Sequence, residues 1–187
     1  MKLRFIFLSI LTISFLSCNS NSDKNQSNHS NDVVGKSASV ATKPIIKKGV
    51  KISIKGGSPH KGDTFCSKIT VENFNSIVGA QFTLQWGAPV LKFKEVKNFK
   101  INGLGKSNFG TKFTKDGKLT FVWYDQSLKG ISVPDKTPVF EVCFDAVGGK
   151  GARSKILITD KPTDAEIVDV DNKDVRLLTE TTYVEIK

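Results

Sequence analysis

From Gly49 onward the chain alternates apolar and polar side chains with a period of two, and nowhere do ten residues in a row show helical spacing with caps. Val50, Ile52 and Ile54 alternate with Lys51, Ser53 and Lys55; Phe65, Ser67, Ile69 and Val71 alternate with Cys66, Lys68, Thr70 and Glu72. The rhythm returns at 81–86, where Phe82, Leu84 and Trp86 share a face, and at 118–124, where Leu119, Phe121 and Trp123 do. It recurs at 91–99, 139–147, 155–159, 166–170 and 182–186. Turn formers separate these runs: Gly56-Gly57, Gly87-Ala88-Pro89, Asp116-Gly117, Gly148-Gly149 and Asp171-Asn172. A strand with one apolar face must bury it, so about nine such strands predict a nearly all-β domain of two sheets packed face to face.

The residues before Gly49 follow other rules. Residues 1–17 have a basic start (Lys2, Arg4) and an apolar stretch from Phe5 to Leu16, too short to span a bilayer, which takes about 20 apolar residues. Phe15-Leu16-Ser17-Cys18 resembles the bacterial lipoprotein box, which implies cleavage before Cys18 and lipidation of that residue. More than one acyl chain on Cys18 would make a stable anchor, where a single chain holds only marginally. A free cysteine near an ordinary secretory cleavage site is the alternative. Asn19, polar and neutral, resembles the residue that follows the lipidated cysteine in lipoproteins sent to the outer membrane. Residues 19–47 are rich in Asn and Ser and lack apolar periodicity, so they cannot bury enough surface to order themselves. They read as a tether with a reach of about 30 Å. The domain plan is therefore 1–18 signal, 19–47 tether and 48–187 β-sandwich.

Few residues carry the marks of chemistry. His29 and His60 each stand without a second ligand or a nucleophile motif, and solvated positions explain both. Asp125, Glu141, Asp145 and Asp164 are carboxylates of the kind any sandwich surface carries. Asp169 to Asp174 tempts a calcium-loop reading, but the fifth position is Lys173 and the sixth, where the glycine belongs, is Asp174. A hairpin turn at Asp171-Asn172-Lys173-Asp174 accounts for the same letters. No enzyme, cofactor or metal is expected. The formal net charge is +10, falling to +8 once Lys2 and Arg4 leave with the signal, and it is spread along the chain with no basic stripe or interleaved aromatics. Nucleic acid is therefore not an expected partner.

Residues 79–93 (GAQFTLQWGAPVLKF) resemble the third strand of cohesins, with its alternating apolar residues, aromatic end, proline-containing turn and following leucine. Gly117 to Trp123, Pro138 to Ala146 and the opening Gly62-Asp63 extend the resemblance over the whole of 48–187. It implies a jelly-roll sandwich, a scaffold that cohesins share with certain carbohydrate-binding modules. It also bears on Cys66 and Cys143. Parity puts both on the polar side of their strands, and the cohesin topology, which sets those strands near one another, implies a disulfide of about 2–4 kcal/mol. Two separate free thiols are the alternative.

In cohesins the partner is a dockerin, met by a flat sheet face with polar side chains around an apolar centre. Carried over, the polar pair at the start of the third strand falls on Gly79 and Gln81, and an acidic residue after the sixth falls on Asp125. Gly79 departs from the usual asparagine and Gln81 from an aspartate. The expected partner-binding set is Gln81, Thr83, Gln85, Tyr124 and Asp125. The expected function is a surface-anchored, non-catalytic module for a protein partner, dockerin-bearing or other; the alternative is a polysaccharide-binding module. Glycan platforms use exposed coplanar rings, and parity turns Trp86 and Trp123 inward, leaving Tyr124 alone outside.

Overall fold

The computed structural model describes residues 49–187; the signal segment, Cys18, the tether and His29 lie outside the described residues. Eleven strands follow in order: β1 (Val50–Ile54), β2 (Thr64–Glu72), β3 (Ile77–Trp86), β4 (Leu91–Lys97), β5 (Phe109–Gly110), β6 (Lys118–Tyr124), β7 (Thr137–Ala146), β8 (Arg153–Thr159), β9 (Glu166–Asp169), β10 (Leu177–Thr179) and β11 (Thr182–Glu185). One sheet runs β10-β1-β2-β7-β4 and the other β11-β8-β3-β6-β5. One edge of β3 is shared by β8, at Thr83 to Trp86, and β9, at Ile77 to Gln81. All nine strands read from the alternation are present. The two that were not, β5 and β10, are two and three residues long, too short to display a period.

Parity decides what lies between the sheets. Ile52 and Ile54 of β1, Ile69 and Val71 of β2, and Phe82, Leu84 and Trp86 of β3 are all buried. So are Leu119, Phe121 and Trp123 of β6 and Phe140, Val142 and Phe144 of β7. The centre is aromatic: Phe121 lies 4.7 Å from Phe82, 5.2 Å from Phe109 and 5.5 Å from Phe140, centroid to centroid. Truncating such a ring to alanine costs about 3–5 kcal/mol. Each tryptophan keeps its buried N–H satisfied, Trp86 donating to the Leu91 carbonyl at 2.8 Å and Trp123 to that of Asn102 at 3.1 Å.

On the outer side of the first sheet, Cys66 and Cys143 stand directly opposite each other on the antiparallel pair β2–β7 and form a disulfide, with Cα atoms 3.9 Å apart. The pairing implied by the cohesin topology is thus present. This face carries polar contacts of its own. Thr64 Oγ1 donates to Asp145 Oδ1 at 2.6 Å, and Lys94 Nζ lies 3.2 Å from the same oxygen. Lys51 Nζ meets Glu180 at 2.7 Å and Glu72 at 3.8 Å. The hydrogen bond from Thr64, helped by Lys94 against partial desolvation, holds the Asp145 carboxyl below the usual carboxylate range.

Candidate functional site

The outer side of the second sheet is different. Gly79, Gln81, Thr83 and Gln85 alternate along β3 with buried Ala80, Phe82, Leu84 and Trp86, and so point away from the core. Register sets four rows across the face: Val168–Gly79–Tyr124, Glu166–Gln81–Val122, Thr159–Thr83–Thr120 and Leu157–Gln85–Lys118. The first two rows are open and largely apolar. Tyr124 is 60% exposed and Val122 47%. Gln81 Nε2 donates to Glu166 Oε2 at 3.0 Å, which fixes the amide at the edge of this strip.

Between Tyr124 and Val168 lies a depression of about 170 Å³, walled by Gln81, Val122 and Glu166 and floored by Gly79. Nothing in the fold demands glycine there. Its φ is not in the left-handed region, and an added Cβ would meet only the Trp123 carbonyl oxygen, at 3.8 Å. What the missing side chain does is leave a notch in the sheet surface.

Two of the residues expected on this surface are not available to a partner. Thr83 is fully buried: the connection between β8 and β9 lies over it, with the Thr163 N–H donating to Thr83 Oγ1 at 3.1 Å and the hydroxyl facing the Thr163 carbonyl at 3.3 Å. Asp125 is only 4% exposed, because the strand alternation that turns Tyr124 outward turns its successor inward. The carboxylate accepts from the Ser127 amide at 3.0 Å, the Ser127 hydroxyl at 2.9 Å and the Gly130 amide at 3.0 Å. Burial pushes this carboxyl up, the bonds from Ser127 and Gly130 push it down, and the second effect wins. Asp125 therefore organises a loop. That loop carries Leu128 at φ 54° and 68% exposed, one turn beyond Tyr124. Gln85 is half-buried at the far end of the face, beside Lys118.

Sequence reasoning named Gln81 and Tyr124 but passed over Val122, Val168, Glu166 and Leu128. Val122 shares the parity of Tyr124 and was legible; Val168 and Glu166 needed the knowledge that β9 pairs with β3, which no local pattern supplies. Elsewhere, Asp169 ends β9 and its Oδ1 accepts the amides of Asp171, at 2.9 Å, and Lys173, at 3.0 Å, forming the expected hairpin turn. Among the described residues no three His, Cys, Asp or Glu side chains gather as a metal site.

The fold is a two-sheet jelly roll with an open, notched strip on the outer side of the second sheet. The cohesin domain profile matches residues 50–181, and the chain belongs to the cohesin family, a family of non-catalytic protein-interaction modules. Solved cohesins share the fold. The OlpA cohesin of Clostridium thermocellum, solved in complex with a dockerin, is 17% identical, with 75% of this chain and 100% of that one covered and a TM-score of 0.64. The sixth cohesin of scaffoldin B from Acetivibrio cellulolyticus, also solved with a dockerin, is 18% identical over 75% and 100%, with a TM-score of 0.63. A non-cellulosomal cohesin from the archaeon Archaeoglobus fulgidus is 17% identical over 75% and 92%, with a TM-score of 0.55. No curated protein matches the sequence.

Proposed function

We propose that the chain is a lipid-anchored, non-catalytic module of the bacterial cell envelope, carried by Cys18 on the outer membrane and exposed at the surface, whose β9-β3-β6 face binds a protein partner. The observation that carries this reading is the contrast between the two outer faces. On the first sheet several of the outward charges are paired with one another, Lys51 with Glu180 and Glu72 and Lys94 with Asp145. On the second, Tyr124, Val122 and the Gly79 notch present apolar surface that no described residue covers. Membership of the cohesin family, and relatives solved as complexes with dockerins, favour a dockerin or a similarly built protein. Because glycine replaces a polar side chain at 79, the partner inserts a side chain where other cohesins offer one. A polysaccharide partner is less well supported, since Trp86 and Trp123 are buried and the exposed rings on the outer side of this sheet, Tyr124 on β6 and Tyr183 on β11, stand three strands apart.

The test is titration calorimetry of the full chain against the dockerin modules encoded in the same genome, with Gly79→Leu and Tyr124→Ala as variants. Filling the notch or removing the ring should each weaken binding at least tenfold, about 1.4 kcal/mol, with an unchanged melting temperature. Binding indifferent to both substitutions places the interface elsewhere. Binding of polysaccharide in place of any dockerin, with quenching of tryptophan fluorescence, overturns the protein-partner reading.

A further inference from the structure

The positive charge looks evenly spread along the sequence and is not evenly spread in space. Four segments meet at the end of the sandwich opposite Gly49: residues 55–63, 111–118, 147–153 and 185–187. Hydrogen bonds knit them through the 87–90 turn. Trp86 N–H donates to the Gly117 carbonyl, Val147 N–H to that of Val90, Ile186 N–H to that of Ala152 and Lys187 N–H to that of Pro59. Together these segments hold Lys55, Lys61, Lys112, Lys115, Lys118, Lys150, Arg153 and Lys187 against three carboxylates, Asp63, Asp116 and Glu185. The described residues as a whole hold 21 Lys and Arg and 16 Asp and Glu, so the whole excess of five lies at this end and the remainder balances. Of the eight cations, Arg153 alone is ion-paired, to Glu185 at 3.4 Å; the seven lysines have no carboxylate within 4.0 Å among the described residues.

We infer that this end of the sandwich is a second binding surface, separate from the β9-β3-β6 face, whose ligand is an acidic polysaccharide. Unpaired cations held on a braced set of turns keep their field for a polyanion. Lysine outnumbers arginine seven to one here, and lysine acts as a point charge without the planar fork that reads phosphate geometry. The surface therefore senses charge density more than the shape of a phosphate backbone. Nucleic acid also lacks a stacking platform. Of the rings at this end, Phe113 is half-buried with Lys112 Nζ 5.4 Å from its centroid, Tyr183 already carries the Arg153 guanidinium at 5.2 Å, and His60 is the single ring of the 55–63 segment. A lipid surface lacks a wedge, since Val147 is the one large exposed apolar side chain in these segments. Strands about 4.8 Å apart make the end of a five-stranded sheet roughly 20 Å wide, enough for several acidic sugars in a row.

The experiment is affinity electrophoresis of the full chain through native gels containing polygalacturonate or neutral dextran, at about 50 mM salt and again at about 500 mM. One variant carries Lys61→Glu, Lys115→Glu and Lys150→Glu. A second, of equal net charge, carries Lys100→Glu, Lys129→Glu and Arg176→Glu near the opposite end. Lys61→Gln, Lys115→Gln and Lys150→Gln in a third variant guard against misfolding by charge reversal. The wild type should be retarded by polygalacturonate and not by dextran, and the retardation should vanish at high salt. The first variant should lose at least tenfold in affinity, the third should lose less, and the second should stay within twofold of the wild type. Equal losses in the first and second variants, equal retardation by dextran, or tighter binding to phosphatidylglycerol vesicles or duplex DNA than to polygalacturonate would each overturn the inference. None of these results touches the protein-binding face, which Gly79→Leu tests separately.

Discussion

Replacing both cysteines with alanine isolates what the bridge contributes without leaving a lone thiol. Cys66 and Cys143 are 77 residues apart, and closing a loop of that length in the unfolded chain corresponds to about 4.5 kcal/mol by chain entropy at room temperature. Measured bridges fall lower, typically at about 2–4 kcal/mol. In this fold the native side of the comparison changes little, because β2 and β7 keep their ladder from Thr64–Asp145 to Val71–Thr137 without the bridge. Taking about 3 kcal/mol, and about 3 °C per kcal/mol for a domain of this size, Cys66→Ala/Cys143→Ala should melt about 10 °C below the oxidised wild type. Circular dichroism melts supply the number. Urea unfolding supplies a second, since an unbridged chain exposes more surface on unfolding and should show a larger m-value. A double variant that melts within about 2 °C of the oxidised wild type, with an unchanged m-value, refutes the reasoning.

Two further outcomes follow. The Asp145 carboxyl titrates below its unfolded value, so its stabilisation is complete above about pH 4 and lost as pH falls through the folded value. Thr64→Val removes the largest cause, and the gap in melting temperature between wild type and variant should be full at neutral pH and close in acid; a gap independent of pH contradicts this. At the other end of the chain, a palmitate analogue fed to the source cells should label the wild type and not Cys18→Ala, and equal labelling of the two rejects the anchor.

The strands were legible because a half-buried strand writes its orientation into every second residue. Phe82, Leu84 and Trp86 declared one face of β3 as inward, and Gln81 the other as outward. The same rule, applied one residue past Tyr124, already turned Asp125 inward, so its assignment to the partner surface rested on family resemblance against the local pattern. Thr83 was different. Its parity is outward, and what hides it is the 160–165 connection, a contact about eighty residues away in sequence that alternation cannot register. The Gly79 notch and the basic end share that character. Each depends on which segments the topology sets side by side, β9 against β3 in one case and four turns at one end in the other.

The placement of β1 has a mechanical consequence. The chain reaches Gly49 and passes straight into a strand held on both sides, antiparallel to β2 from Lys51–Glu72 to Ile54–Ile69 and parallel to β10 from Val50–Leu177 to Ile52–Thr179. A pull directed along β1 from its N-terminal end lies at right angles to the β1–β2 hydrogen bonds, so these are loaded together in shear and not peeled one after another. Behind them, the covalent link between β2 and β7 stops the next pair of strands from sliding. Tension applied along β1 while the other sheet is held is therefore resisted by this ladder as a unit where the load first enters the domain.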